Sequence, residues 1–177
     1  PEGTGIELPE GATMVYQVHY NLADPTTIGQ EAHPTVRIQL EEAVQRPIEL
    51  DLTDGFLGGW SSPGRLAPGQ EDAVVYFEFS FDEERQVLGV LPHMHEQGTA
   101  LQVYIGDGPQ RQCLTEVPAW NFEWQRLYLF QEPVELPAGT TIHVWCTYDT
   151  RSSADFVLPG WGTRNEMCLP GLLLERG

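Results

Sequence analysis

Two histidines separated by one residue, His93 and His95, and a methionine set between an acid and a thiol, Glu166-Met167-Cys168, are the residues whose types could do chemistry. Two imidazoles and one thioether would form a soft, incompletely filled donor set, suited to Cu(I) and to a small ligand such as dioxygen. At the end of a strand, side chains two apart share a face, so His93 and His95 point the same way and Met94 the opposite way. A third ligand must come from elsewhere in the chain. Each piece also has an ordinary reading. His-x-His fits a strand end carrying hydrogen-bonded imidazoles, and methionines such as Met14, Met94 and Met167 commonly fill cores.

The elements that must position these residues read as strands. Fourteen prolines and eighteen glycines divide short segments rich in Val, Ile, Tyr, Phe and Thr, and no stretch of helical period runs beyond two turns. Strands are predicted over 13–21, 35–40, 48–52, 73–81, 86–95, 100–105, 125–130 and 141–148. In 73–81, Val75, Phe77, Phe79 and Phe81 share one face while Val74, Tyr76, Glu78 and Ser80 share the other. Tight turns are expected at Ala67-Pro68-Gly69-Gln70 and Leu136-Pro137-Ala138-Gly139, each just before a strand. A helical turn within 31–45 is opposed by Pro34, Pro47 and the β-branched residues around them. The expected fold is all-β: an antiparallel two-sheet sandwich of jelly-roll type.

Composition restricts the class. A chain of 177 residues, 41% hydrophobic, can bury a real core. With 26 acids against nine bases the net charge is −17, which argues against nucleic acid and anionic lipid as partners. All nine bases are arginines, so a lysine nucleophile or Schiff base is excluded. No apolar run is long enough to span a bilayer, and Pro1 is followed by no leader pattern, so the chain reads as a processed or excised piece of a longer precursor. Three cysteines, Cys113, Cys146 and Cys168, suggest one pair and one odd thiol. A disulfide would place maturation outside the reducing cytosol: secreted, periplasmic or surface-attached. The odd thiol is expected to be buried and free.

Four segments occur in one order: His-Met-His-x-x-Gly at 93–98, Pro-Ala-Trp-Asn-Phe-Glu-Trp-Gln at 118–125, Leu-Pro-Ala-Gly-Thr-Thr-Ile-His-Val-Trp-Cys-Thr-Tyr-Asp-Thr at 136–150, and Gly-Trp-Gly-Thr-Arg-Asn-Glu-Met-Cys at 160–168. This order resembles the C-terminal domain of the copper type II, ascorbate-dependent monooxygenases, the peptidylglycine α-hydroxylating and dopamine β-hydroxylating family and especially its bacterial relatives, over roughly residues 13–168. The resemblance implies one copper held by His93, His95 and Met167, where dioxygen binds and a substrate C–H bond is hydroxylated, with ascorbate or another donor supplying electrons. It implies a disulfide between Cys146 and Cys168, supporting the loop that carries Met167. Glu166 reads either as an acceptor for a ligand imidazole or as a solvated loop carboxylate. Trp120, Phe122, Trp124 and Trp161 are candidates to wall an apolar substrate cleft, with core packing the alternative.

The segment Gly11-Ala12-Thr13-Met14-Val15-Tyr16-Gln17-Val18-His19-Tyr20 looks like the family's Gln-Val-His-Tyr, which would make His19 a ligand of a second, electron-transfer copper. Its family partners are an adjacent His-His pair, and this sequence has none. Residues 1–24 are therefore expected to be the remnant or last strand of a preceding domain, or the parent to use a different redox partner, and 25–177 the sandwich. His33 is expected on a surface loop and His143 on a strand with a satisfied hydrogen bond. In the peptide-amidating relatives, three residues around the copper ligands hold a peptide carboxylate; here those places are Leu91, Leu169 and Gly171. A second family disulfide is absent, its first half falling near Phe79. The expected function is that of a copper monooxygenase domain acting on dioxygen and a small molecule; the alternative is a non-catalytic extracytoplasmic module that stores, transfers or senses copper.

Overall fold

Nine strands pack as two facing sheets in this computed structural model, which describes residues 2–16, 18, 20, 25–55 and 64–176. The strands are β1 (Thr4–Ile6), β2 (Arg46–Asp51), β3 (Ala73–Phe79), β4 (Arg85–Val90), β5 (Gly98–Ile105), β6 (Gln112–Val117), β7 (Tyr128–Leu136), β8 (Ile142–Tyr148) and β9 (Leu172–Arg176). One sheet has the order β1-β2-β9-β4-β7 and the other β3-β8-β5-β6. All pairings are antiparallel except the parallel β1–β2 edge. Among the described residues there is no α-helix, only three short 3-10 turns, and no helix long and apolar enough to cross a membrane.

The core lies between the sheets and follows from period-2 alternation. Val75 and Phe77 of β3, Leu101, Val103 and Ile105 of β5, and Ile142, Val144 and Cys146 of β8 face inward. Val87 and Val90 of β4, Leu136 of β7, and Leu172 and Leu174 of β9 meet them from the other sheet. Each such buried side chain contributes roughly 1.5–3 kcal/mol relative to exposure. The expected division of β3 holds: Val75 and Phe77 are buried while Val74, Tyr76 and Glu78 are exposed. The two Pro-Gly turns form where expected, with Gly69 and Gly139 at φ 79° and 73°.

Several expectations are corrected. No strand forms at 35–40 or in the described residues of 13–21, whose side chains are exposed. An alternating pattern without a partner to pair with does not make a strand. Met14 accordingly is 57% exposed and fills no core, whereas Met94 is fully buried. The strand expected at 125–130 instead begins at Tyr128 and runs to Leu136, through Pro133. β7 is the edge of its sheet, where a proline costs no ladder hydrogen bond. β1, β6 and β9 add to the expected set. Cys113 is free as expected but exposed, because β6 is the other sheet's edge and turns it outward. Residues 31–45 contain no helical turn.

Candidate metal centre

Beyond β4 the chain stays extended, and His93 pairs with Leu169: each backbone N–H donates to the other's carbonyl, at 2.9 and 3.0 Å. One step further along the same two segments lie His95 and Met167. There the ladder stops, because the His95 N–H turns to the Glu166 carboxylate, 2.8 Å from Oε2. Oε1 of the same carboxylate accepts from the Gln97 N–H at 2.7 Å. Glu166 is thus neither solvated nor bound to an imidazole. It is 1% exposed and clamps the backbone on both sides of Glu96. Burial pushes its carboxyl up to about 7, against the opposing pull of the backbone N–H groups.

The imidazoles of His93 and His95 stand edge to face, 5.0 Å apart at 87°. His95 is buried and His93 half-buried. Each ring has an oxygen at Nδ1: Oε1 of Gln125 for His93, and the backbone carbonyl of Asn165, at 2.8 Å, for His95. The Gln125 orientation is set by its own Nε2, which donates to the Phe122 carbonyl at 2.7 Å. An oxygen acceptor at Nδ1 selects the Nδ1–H tautomer, so that the Nε2 lone pair is the donor each ring would offer a metal. Gln125 and Asn165 carry no role legible from residue type; the signal for them is their place inside the quoted motifs, last in 118–125 and sixth in 160–168.

Met167 is 1% exposed yet stands outside the contiguous hydrophobic core, while its neighbour Cys168 belongs to it. Two residues of the 136–150 motif hold this segment. Cys146 is disulfide-bonded to Cys168, with Cα atoms 5.9 Å apart, and the buried Tyr148 hydroxyl donates to the Met167 carbonyl at 2.8 Å. A crosslink closing a separation of 22 residues stabilises by about 3 kcal/mol. As donor types, two imidazoles and a buried thioether on two adjacent segments suit a soft metal. Among the described residues no group of three His, Cys, Asp or Glu gathers to hold a metal.

The loop from β6 to β7 covers one side. Phe122 presents its ring edge-to-face with His95 at 6.1 Å, and Trp120 Nε1 donates to the His95 carbonyl at 3.1 Å. Pro92, Val117, Ala119, Trp120, Trp124 and Tyr128, with Asn121, line a groove of about 280 Å3 between the edges of the two sheets. Trp161 is 60% exposed on the 160–165 turn and does not line it. The other histidines lie elsewhere. His33 is exposed beside Glu31. His143, on β8, meets the Tyr76 hydroxyl at 2.9 Å and Asp107 at 3.2 Å. His19 lies outside the described residues.

The three places that hold a carboxylate in peptide-amidating relatives are closed differently. Leu169 is buried across from His93, and the Leu91 N–H donates to the Gly171 carbonyl at 2.6 Å. Gly171 has φ 52°, and a Cβ there would lie 2.2 Å from the Leu91 carbonyl oxygen. No side chain fits at that position without moving backbone.

Residues 78–172 match the family model described as copper type II ascorbate-dependent monooxygenase, C-terminal domain. DBH-like monooxygenase protein 1 of Mus musculus is 34% identical over 89 residues, 49% of this chain and 14% of the relative. Putative DBH-like monooxygenase protein 2 of Homo sapiens is 34% identical over 85 residues, 48% of this chain and 17% of the relative. Dopamine beta-hydroxylase of Rattus norvegicus is 24% identical over 185 residues, covering 96% of this chain and 29% of the relative. The chain thus spans from 14% to 29% of the length of these relatives. With more than half of its length matched by that family model, the chain belongs to the copper type II ascorbate-dependent monooxygenases, through their C-terminal domain.

Proposed function

We propose that His93, His95 and Met167 hold one copper ion and that the parent protein hydroxylates a C–H bond of a small-molecule substrate with dioxygen. The observation that carries this reading is the His93–Leu169 pairing, which sets the two imidazoles beside the buried Met167 segment. Copper bound there would supply activation of dioxygen, with ascorbate or another donor providing electrons. The protein's part is orientation. Gln125 and the Asn165 carbonyl fix the imidazole tautomers, Glu166 pins the backbone at His95, and the disulfide with Tyr148 steadies the Met167 segment. Phe122 and Trp120 limit water at His95. The Cys146–Cys168 bond supports an extracytoplasmic location.

A second reading, a copper-binding module without turnover of its own, is favoured by the five histidines, no two of which are adjacent. On that ground His19 is an orphan ligand of the 1–24 segment, and electrons would come from an upstream domain or another redox partner. Copper titration with X-ray absorption on the reduced chain tests the site. The expected result is one copper per chain with nitrogen and sulfur neighbours, and loss of the sulfur in Met167→Ile. A copper without a sulfur neighbour, or with the same neighbours in that variant, overturns the ligand set. Oxygen uptake with ascorbate separates the two functional readings.

A further inference from the structure

The outer face of the β3-β8-β5-β6 sheet carries a set of rings that the proposed copper site does not use. Tyr76 lies opposite Trp145 in register and Glu78 opposite His143; His143 in turn faces Tyr104, and Tyr104 faces Cys113. Ring centroids are 4.8 Å apart for Tyr76 and Trp145, 5.7 Å for His143 and Trp145, and 5.9 Å for Tyr104 and Trp145. At such contacts an electron can step from ring to ring. The two ends of the set differ in charge. The Arg111 guanidinium lies 4.4 Å from the Tyr104 ring centroid and 5.4 Å from that of Trp145. The Tyr76 hydroxyl instead donates to the Glu78 carboxylate at 2.7 Å and lies 2.9 Å from Nδ1 of His143. Burial and Glu78 push this phenol up to about 12, so it holds its proton at neutral pH. A covalent bridge joins the stack to the metal centre: Trp145 precedes Cys146, whose disulfide partner Cys168 follows Met167.

We propose that Tyr76 is the terminal electron donor of a relay through Trp145, which carries oxidising equivalents from the protein interior to its surface. When Trp145 loses an electron to a one-electron oxidant, Tyr76 replaces it. The Tyr76 O–H bond breaks, the electron goes to the Trp145 radical cation, the proton goes to the Glu78 carboxylate, and a neutral tyrosyl radical remains. A small one-electron reductant in solution, an enediol or a thiol, then restores the phenol, with the proton returning from Glu78. Tyr76 is 40% exposed, which gives that reductant access. Charge sets the direction of the relay. A guanidinium beside Tyr104 and Trp145 disfavours a positive charge on those rings, and a carboxylate at the Tyr76 hydroxyl favours proton loss there. The origin of the oxidant, dioxygen reduced at the centre in the absence of substrate, rests on the copper reading; the relay itself does not.

The test attaches a ruthenium polypyridyl photo-oxidant to Cys113, the one cysteine outside the disulfide, exposed and opposite Tyr104. The copper-free 177-residue chain is flashed with an external electron acceptor present, and radicals are followed by transient absorption and EPR. The wild type is expected to give a neutral tyrosyl radical preceded by a short-lived tryptophan radical. In Tyr76→Phe the tyrosyl signal should be lost and the tryptophan radical should live about tenfold longer, and in Trp145→Phe the tyrosyl yield should fall about tenfold. Glu78→Gln should slow tyrosyl formation about tenfold, whereas Tyr104→Phe should leave yield and rate unchanged. Melting temperatures of the variants establish that each is folded. A tyrosyl signal that survives in Tyr76→Phe or is lost in Tyr104→Phe overturns the inference, as does an unchanged rate in Glu78→Gln. Copper stoichiometry measured in parallel fails or succeeds independently of this copper-free experiment, so loss of the copper reading is distinguishable from loss of the relay.

Discussion

His93 and His95 are neighbours on one face, yet they are held by different kinds of group. His93 is half-buried and depends on a side-chain amide, Gln125, delivered by the loop between the two edge strands β6 and β7. His95 is buried, receives its acceptor from the main chain of Asn165, and has its own backbone pinned by Glu166. One ring is therefore tied to a replaceable side chain and the other to the frame. The difference teaches that the site has a rigid half, continuous with the disulfide and Tyr148, and an adjustable half set by one loop.

The largest change should come from attacking the rigid half. Glu166→Ala removes the acceptor of two buried or half-buried N–H groups and is expected to cost roughly 3–4 kcal/mol, read as a lower urea midpoint, with copper binding lost alongside. An unchanged midpoint would show that His95 is not anchored there. Replacing both Cys146 and Cys168 by Ser should cost about 3 kcal/mol, and in X-ray absorption the sulfur neighbour should weaken while both nitrogens persist. The adjustable half should respond in affinity, not stability. Gln125→Ala is expected to lower copper affinity by roughly tenfold to a hundredfold, with a stability change within about 1 kcal/mol, checked by competition with a Cu(I) chelator. Asn165→Ala is the sharpest control and the smallest effect. It keeps the carbonyl that holds His95 and loses only the side-chain bond to the Leu158 carbonyl, so copper affinity should match wild type. If it falls as far as in Gln125→Ala, the two halves are not different.

Much of the frame is legible from the residues. Alternation located β3, β5 and β8 within a residue or two, and the same rule sends Met94 into the core between two histidines that face away from it. β9 escaped notice because Leu172, Leu173 and Leu174 are all buried, so no alternation marks them. The described residues of 13–21 and segment 35–40 show the reverse: a strand's pattern without a strand's pairing. In the site, the disulfide pairing and the candidate ligands came from motif order. The groups that orient them did not, because Gln125 and Asn165 reach the imidazoles from loops whose approach is decided by tertiary packing. Glu166 differs from both of its sequence readings for a related reason: a carboxylate's burial depends on which backbone N–H groups fold around it, here those of His95 and Gln97.

The contact at Gly171 bears on how this chain can change. A Cβ there would meet a main-chain oxygen of the neighbouring segment, not a flexible side chain that could step aside. A substitution at this one codon would therefore damage the frame around the histidines before it could add a binding group. An engineer grafting a peptide-carboxylate clamp onto this scaffold would first have to respace the Leu91 and Gly171 backbones, whereas new recognition groups on the exposed 118–127 and 160–165 loops need no such rebuilding. Change in ligand choice is channelled toward the loops, since a side chain at Gly171 would displace the paired backbone beneath them.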